Sequence, residues 1–301
     1  MENKYDYEYD KFREAGKASF EALTYAKELV KPGKKLIDTA NELEKFMKDK
    51  GFGLAFPVNI SINENAAHYT PTVNDESVFT NNDLVKIDLG ARKDTYLQDC
   101  AVTIDLSGKY ANFVDTAQKA LQEAISSVKA GRKVCEIGAA VEKVVKGAGL
   151  KPIENLGGHG ISEEDLHADI FIPNYDNGDD TALEEGQVVA LEPFITNGMG
   201  HVIEGEHLQI YQKLGNVNAR SEDTRRISEF IDKNYSTYPF AVRWLVNAFG
   251  SEFKVRRGLN ELAALGALES FPVLVEKGKG IVAQAEASVI VQKDGCEVLT
   301  K

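Results

Sequence analysis

The feature that most constrains the fold of this chain is an internal repeat with a period of 98 residues. When the sequence is shifted by 98 positions without a gap, 11 of the 30 positions from 22 to 51 meet an identical residue. Two of these identities are glycines, because Gly33 falls on Gly131 and Gly51 falls on Gly149. Chance would leave only a few identities, and the period is too long for a solenoid of stacked units. We therefore predict two duplicated helix-helix-sheet halves about a pseudo-two-fold axis, with the sheets inside and the helices outside.

The predicted elements follow this duplication and then depart from it. Helices are expected at residues 5–29 and 36–50, at 112–129 and 134–146, and again at 223–233, 239–248 and 255–265, with strands at 54–62 and 271–276. The last three helices and the strand after them have no counterpart in the repeat. We therefore expect an α+β catalytic domain over residues 1–218 and 276–301, interrupted at 219–275 by a mostly helical, winged-helix-like insertion.

Acidic residues inside apolar strands are the first chemical signal. Asp88 lies between Ile87 and Leu89 in a predicted strand, and Asp99 opens the next strand eleven positions later. An ionised carboxylate in such a place is costly unless it is paired or bound to a cation. Taken alone, each Asp could equally be a strand-end residue or the partner of an arginine.

The second half of the chain repeats the signal. Glu192 lies in the apolar run V-V-A-L-E-P-F-I, and Glu286 lies in G-I-V-A-Q-A-E-A-S-V-I-V. His159 is expected in a glycine-flanked turn, G-G-H-G-I-S, and His167 follows it by eight positions. A cluster of four carboxylates would be destabilised by mutual repulsion unless cations were bound among them.

Two Asp, two Glu and one His make an oxygen-rich ligand set that suits Mn, Fe, Co or Zn. Such a set can hold two divalent ions, which together bind a hydroxide at neutral pH and polarise a carbonyl, the chemistry of hydrolases. The sequence has no glycine-rich dinucleotide or phosphate-binding motif that would indicate a different cofactor.

Composition limits the other classes of function. The net charge of −12 argues against a nucleic-acid partner, because the chain has no basic excess to neutralise phosphates. Its polar, acidic N-terminus does not resemble a signal peptide, and no apolar run is long enough to cross a membrane. Three cysteines without a C-x-x-C pair predict reduced thiols. We therefore expect a cytoplasmic monomer that binds neither membrane nor DNA.

The order of these residues resembles that of a known family. The series Asp, Asp, His, Glu, Glu, with the second Asp eleven positions after the first, is similar to that of the methionine aminopeptidases and of their pita-bread relatives, the prolidases and creatinases. The motifs A-F-P-x-N-I-S-I-N-E-N-A-A-H-Y-T-P and G-G-H-G-I-S-x-x-x-L-H-A resemble type 2 methionine aminopeptidases, as does the helical insertion between Glu192 and Glu286. The lack of a basic N-terminal extension resembles archaeal members. The resemblance implies the pita-bread (creatinase/aminopeptidase) fold.

The resemblance also implies roles for individual residues. It makes two divalent ions (Co, Mn, Fe, Zn or Ni) the cofactors, and their ligands would be Asp88, Asp99, His159, Glu192 and Glu286, with Asp99 and Glu286 as bridges. His68 and His167 would face the substrate, His167 supporting the oxyanion, and Glu192 would also shuttle a proton. The walls of the methionine pocket would come from Phe56, Phe194 and His207, with Phe271 as a weaker fourth.

The implied reaction is removal of the initiator methionine from the N-termini of nascent polypeptides when the second residue is small. The ribosome is one place where this reaction would occur. A dimetal-activated hydroxide would attack the peptide carbonyl. One residue departs from the family pattern: Ala287 follows Glu286 where a His is expected. We expect this change to remove a polar neighbour of Glu286 and to alter activity. The alternatives are a dimetal peptidase for Xaa-Pro bonds and a non-catalytic relative that binds ribosomes or RNA.

Overall fold

The structure, a computed structural model, describes residues 5–301. Residues 1–4, which begin both the acidic N-terminal segment and the predicted catalytic domain, lie outside the described residues. Within the described chain the helices are α1 (Tyr9–Leu29), α2 (Leu36–Asp49), α3 (Ala111–Ser127), α4 (Val134–Gly147), α5 (Glu222–Asn234), α6 (Val242–Phe249) and α7 (Glu252–Ala264). None of these described helices is both long enough and apolar enough to cross a membrane.

The helix ends confirm the predicted duplication. A shift of 98 residues carries the last residue of α1 onto that of α3, and both ends of α2 onto those of α4. The glycines that follow, Gly33, Gly51, Gly131 and Gly149, all have φ between 74° and 87°. Side chains with a Cβ disfavour this left-handed region. Glycine is therefore retained at the same points of both halves because the chain reverses there.

Most of the strands are short, and they are spread over the whole chain. In chain order they are β1 (Gly53–Leu54), β2 (Asn59–Ile62), β3 (Asn65–Ala67), β4 (Leu84–Leu89), β5 (Ala91–Lys93), β6 (Tyr96–Leu97), β7 (Cys100–Asp105), β8 (Lys151–Pro152), β9 (Gly157–Ser162), β10 (Asp165–Pro173), β11 (Val188–Leu191), β12 (Phe194–Thr196), β13 (Val202–Lys213), β14 (Phe240–Ala241), β15 (Leu268–Glu276), β16 (Val282–Gln284), β17 (Glu286–Gln292) and β18 (Gly295–Val298). The strand predicted over residues 54–62 is divided into β1 and β2, and Pro57, which has no N–H to donate, lies in the gap.

A large sheet forms the centre of the molecule, in the order β10-β9-β11-β17-β7-β4-β2, with β18 paired to β17. One face of this sheet is covered by the helices. Ala287 of β17 lies in the apolar core that includes α3 and α4, while its cross-strand partner Cys100 lies in the core that includes α1 and α2. Because directly paired residues share a face, both pairs of helices pack on the same side, opposite to the face that carries the site.

The segment between β13 and β15 has an apolar core of its own. Ile227 of α5, Leu245 of α6 and Leu259 of α7 are buried together there. β15 begins at Leu268, before the predicted strand at 271–276, and pairs with β13 in a four-stranded sheet ordered β14-β13-β15-β3. The helices and strand thus appear in the predicted order, and main-chain hydrogen bonds connect the strand directly to the rest of the molecule. The mixed architecture with duplicated halves confirms the predicted fold class.

Candidate metal centre and active site

The predicted metal ligands lie on five neighbouring strands of the central sheet. They are His159 in β9, Glu192 directly after β11, Glu286 at the start of β17, Asp99 directly before β7 and Asp88 in β4. The strand register explains their convergence: Asp88 pairs with Ala101, and Ala101 pairs with Glu286. Side chains that are directly opposite point to the same face of a sheet. The two carboxylates therefore project from the face that the helices do not cover.

The local setting of His159 differs from the prediction. We expected a glycine-flanked turn, but residues 157–162 form β9, and His159 pairs with Ala190 and Phe171. The glycines serve close strand packing, because a Cβ at Gly158 would lie 2.2 Å from the carbonyl oxygen of Ala190. A turn prediction from glycine content fails here because glycine also marks a close backbone approach within a sheet.

Two groups of potential metal donors share one residue. Asp99, His159 and Glu286 form the first group, and Asp88, Glu192 and Glu286 form the second. Within each group, one donor atom from each residue lies within 4.8 Å of the others. Glu286 therefore lies between two adjacent positions at which a cation could bind.

The carboxylates of this site are buried without compensating positive charge. Asp88, Asp99 and Glu286 are 8%, 5% and 3% exposed. Asp88 Oδ1, Asp99 Oδ1 and both Glu286 oxygens are buried and lack a hydrogen-bond partner among the described residues. Neither lysine nor arginine is among the residues that line the cavity over the site. Several unpaired carboxylates in one buried place are costly, and divalent cations relieve that cost. The residues present therefore fit a metal site.

Burial and mutual repulsion shift the acid groups in one direction. Burial raises the pKa of Asp99 to about 7. Burial, and after it the charge of a neighbouring carboxylate, raises the pKa of Asp88, of Glu192 and of Glu286 above the ordinary range. Bound cations would reverse these shifts, because an opposite charge nearby favours the ionised form.

His159 is oriented as a metal-binding histidine. Its Nδ1 donates a hydrogen bond to the carbonyl oxygen of Gly160 at 3.1 Å. Its Nε2 lies 3.6 Å from Asp99 Oδ2. The bond at Nδ1 leaves the lone pair of Nε2 free on the side of the carboxylates. Burial lowers the pKa of His159, so the ring is neutral, as a ligand must be.

Two polar residues that the sequence analysis missed hold the carboxylates in place. Gln284 Nε2 donates to Glu192 Oε1 at 2.8 Å and to Asp88 Oδ2 at 3.3 Å. Ser288 Oγ accepts from the backbone N–H of Asp99 at 3.2 Å and donates to its carbonyl oxygen at 2.7 Å. Their signal was present in A-Q-A-E-A-S, where the polar residues at 284, 286 and 288 alternate with alanine and so share one face.

A cavity of about 470 Å³ opens over the metal centre. His68 and His167 line it together with the phenylalanines Phe56, Phe194 and Phe271. The ring centroids of His159 and His167 are 4.5 Å apart, and those of His68 and Phe271 are 5.7 Å apart. Burial, and then the nearby His167, lowers the pKa of His68 to about 4. Desolvation lowers the pKa of His167 as well, so both rings are neutral near pH 7.

His207 is placed differently from the other predicted pocket residues. It is absent from the residues that line the cavity. Its ring stacks on Tyr69 at a centroid distance of 4.3 Å, and its Nε2 donates to the carbonyl oxygen of Thr70 at 2.9 Å. His207 therefore holds the loop that follows His68, and its role in the pocket wall stays a prediction.

Ala287 does not border the metal centre. It lies 5% exposed in the apolar core on the helix side of the sheet, opposite to Glu286 in the strand alternation. Its directly paired neighbours are Leu191 and Cys100. The expectation that Ala287 removes a polar neighbour from Glu286 was therefore wrong, because successive residues of a strand face opposite ways.

Comparison with known sequences gives a consistent family. The profile of metallopeptidase family M24 matches residues 10–229. A methionine aminopeptidase from Methanocaldococcus jannaschii is 38% identical over 293 residues, which cover 97% of this chain and 98% of that protein. A methionine aminopeptidase from Archaeoglobus fulgidus is 42% identical over 292 residues and is covered to a similar extent, 97% of this chain and 98% of its own length.

Solved structures agree at the level of the fold. A thermophilic Arx1 superposes with a TM-score of 0.83 at 20% identity, covering 96% of this chain and 89% of that chain. A methionine aminopeptidase from Thermotoga maritima superposes with a TM-score of 0.72 at 22% identity, covering 99% and 98% of the two chains. With its full-length relatives and its cluster of buried carboxylates, this chain belongs to the methionine aminopeptidases of metallopeptidase family M24.

Proposed function

We propose that this protein is a type 2 methionine aminopeptidase that removes the initiator methionine from nascent polypeptides in the cytoplasm when the second residue is small. The observation that carries the proposal is the pair of donor groups that share Glu286 beneath a cavity with two non-ligand histidines. The type 2 assignment is supported by the helices α5 to α7, which lie in the sequence between Glu192 and Glu286.

The metal centre is proposed to hold two divalent ions, drawn from Co, Mn, Fe, Zn or Ni. Asp99 and Glu286 would bridge them, while Asp88, Glu192 and His159 would each contact one side. The membership of Glu286 in both donor groups supports its bridging position. Ions bound there would supply Lewis-acid polarisation of the scissile carbonyl and a nucleophilic water at neutral pH.

The residues of the chain would do the rest of the work. Glu192 accepts a hydrogen bond from Gln284 through Oε1, and its carboxylate would take the proton of the attacking water and pass it to the leaving amine. His167, neutral and at the cavity wall, would donate to the carbonyl oxygen as negative charge develops there. His68 would contact the substrate backbone beside the cleaved bond.

The methionine side chain would enter the apolar part of the cavity. Phe56 and Phe194 line this part, and the ring of Phe271 contacts both His68 and His167. An unbranched thioether suits such a pocket because it is flexible and makes favourable contacts with aromatic rings. His207, which stacks on Tyr69, is proposed as a further wall residue.

The insertion is proposed as a subdomain of residues 219–275 within a catalytic domain of residues 1–218 and 276–301. The separate apolar core of α5, α6 and α7 supports this division. The shared sheet of β13 and β15 supports a fixed attachment. A monomer in solution is proposed as well.

The test is methionine release from Met-Ala-Ser by metal-stripped protein that is titrated with Mn, Fe, Co, Ni or Zn. We expect metal-dependent release that disappears in the Glu286→Ala variant. Cleavage of Xaa-Pro dipeptides in place of Met-Ala-Ser would overturn the substrate assignment. Absence of peptide cleavage with every metal, together with RNA binding, would overturn the enzymatic assignment itself.

A further inference from the structure

We propose that Arg243, on helix α6 of the insertion, is a positioning residue that acts through Thr70 to hold His68 in the active site. The inference rests on the proposed function, in which His68 contacts the substrate. It gives the insertion a direct part in catalysis, because one of its buried side chains would fix the geometry of a substrate-facing histidine.

The backbone at His68 needs external support. Its φ is +64°, in the left-handed region that residues with a Cβ adopt only at a cost in free energy. The side chain lies against the ring of Phe271 and beside the backbone of Pro272 in β15, while its Nδ1 is buried without a hydrogen-bond partner among the described residues. These contacts hold one side of the imidazole, and its position also depends on how the chain next to it is held.

That support is concentrated at Thr70, two residues further on. Thr70 Oγ1 donates to the carbonyl oxygen of Val58 at 2.8 Å and accepts from Arg243 Nη1 at 2.6 Å. The carbonyl oxygen of Thr70 accepts from His207 Nε2 at 2.9 Å. Three separate parts of the chain, β13, α6 and the segment before β2, thus meet at one buried threonine.

Arg243 is itself held in a fixed orientation. It is 1% exposed, and its Nη2 forms an ion pair with Glu44 Oε1 of helix α2. The second carboxylate oxygen of Glu44 accepts from Trp244 Nε1 at 2.8 Å. The planar guanidinium directs one nitrogen to Glu44 and the other to Thr70, an arrangement that a lysine could not reproduce.

The chemistry of this contact favours a role in positioning Thr70 over a role in merely joining α2 to α6. Burying two charges is costly, and apolar residues of similar size would join α2 to α6 at least as well. What an apolar contact lacks is a directed donor at Thr70 Oγ1. The arrangement is therefore suited to specifying where the chain beside His68 lies.

The test is a double-mutant cycle between Arg243→Met and His68→Ala, measured as kcat/KM on Met-Ala-Ser with saturating metal. We expect Arg243→Met to lower kcat/KM roughly 10-fold, as displacement of a catalytic contact does. In the His68→Ala background the same change should cost less than about 2-fold, because the two residues act on one interaction. Equal losses in both backgrounds would overturn the proposal.

Thr70→Val keeps the test decisive if Arg243→Met folds poorly. It removes the hydroxyl that receives the guanidinium and leaves the Arg243–Glu44 pair in place. It should reproduce the loss of kcat/KM and the coupling to His68→Ala. A Thr70→Val enzyme with wild-type kcat/KM would contradict the proposed route through Thr70.

Two matched controls separate positioning from stability. Lys213 is a buried lysine in β13 that is paired with Asp232 of the insertion, without contact to Thr70. Glu142 is the counterpart of Glu44 in the internal repeat and pairs with Lys146 on its own helix. Lys213→Met and Glu142→Gln should leave kcat/KM unchanged, even where Lys213→Met lowers Tm. A loss in these controls as large as in Arg243→Met would point to a general structural effect.

A readout independent of activity separates this inference from the proposed function. The chain has five histidines, so ¹³C-labelled histidine rings give a small set of NMR signals. Arg243→Met and Thr70→Val should shift the signals of His68 and His207, whereas Lys213→Met should not. Unchanged His68 signals in both variants would overturn the inference even if the enzyme were fully active. If the protein cleaved no peptide, these shifts would still support the positioning role.

Discussion

At the scale of single residues, Glu286 has the most exacting position in the site. Among the described residues it belongs to both donor groups, and both of its carboxylate oxygens are buried without a hydrogen-bond partner. Such a residue opposes folding of the metal-free protein and favours the metal-bound one. Its contribution to stability should therefore change sign when metal is added.

Removal of metal should make stability depend on pH in a defined direction. The folded pKa of Asp99 is raised to about 7, and those of Asp88, Glu192 and Glu286 are raised too, whereas unfolded carboxyl groups titrate near pH 4. Groups with raised folded pKa values stabilise the fold below pH 4, and this contribution is lost as pH rises through the folded values. The urea midpoint of the chelated protein should therefore decrease as the pH rises from about 4 to about 7.

Saturating Mn²⁺ should remove this fall at neutral pH, because the ionised carboxylates then have cations to bind. Glu286→Gln should flatten the pH profile of the chelated protein and abolish most of its stabilisation by Mn²⁺. Superimposable pH profiles with and without chelator would show that the carboxylates are not the source of the effect.

Gln284 offers a second test at this scale. Its side-chain N–H group donates to Asp88 and Glu192, two carboxylates of the second donor group. Loss of such outer partners typically costs roughly 10–100-fold in metal affinity or activity. Gln284→Ala should therefore weaken Mn²⁺ binding within that range, as measured by calorimetry. Gln292→Ala, at the exposed far end of β17, should bind metal like the wild type.

At the scale of elements, the sequence pattern predicted the features that depend on interactions between residues close together in the chain. Helix boundaries and their glycines could be read from the repeat, because propensity and turn geometry act within a few residues. The pairing of Asp88, Ala101 and Glu286 could not, since strand register across distant segments depends on the assembled sheet. The Glu44–Arg243 pair joins residues 199 positions apart, and no local signal marks either partner.

The misplaced expectation at Ala287 has the same origin and leads to a prediction. Position 287 faces the apolar core of α3 and α4 between Leu191 and Cys100. A larger, polar side chain in this packed core should cost about 1–3 kcal/mol of stability. Ala287→His should therefore lower the urea midpoint without raising metal affinity or kcat/KM. A more active Ala287→His enzyme would mean that this position communicates with the metal centre through the sheet.

At the scale of the whole molecule, the acidic character of the chain extends to a second cavity beside the active site. A second cavity of about 360 Å³ continues from the first and shares His68, His167 and Phe271 with it. Its other lining residues include Glu164, Asp165 and Glu269, and none of its lining residues is a lysine or arginine. A substrate whose methionine occupies the first cavity would extend its following residues through this second, acidic cavity.

The acidic second cavity should therefore discriminate among substrates by charge beyond the second residue. Met-Ala-Ser-Lys should have a kcat/KM a few-fold above that of Met-Ala-Ser-Glu at low salt, because exposed carboxylates attract the lysine and repel the glutamate. The difference should shrink as ionic strength rises, since the screening length falls from roughly 30 Å at 0.01 M to about 8 Å at 0.15 M.

Glu164→Gln combined with Glu269→Gln should reduce the preference at low salt. Glu229→Gln, which removes one exposed charge from α5 outside the residues lining either cavity, should retain it. Equal rates for both peptides at low salt would place the downstream part of the substrate elsewhere on the surface.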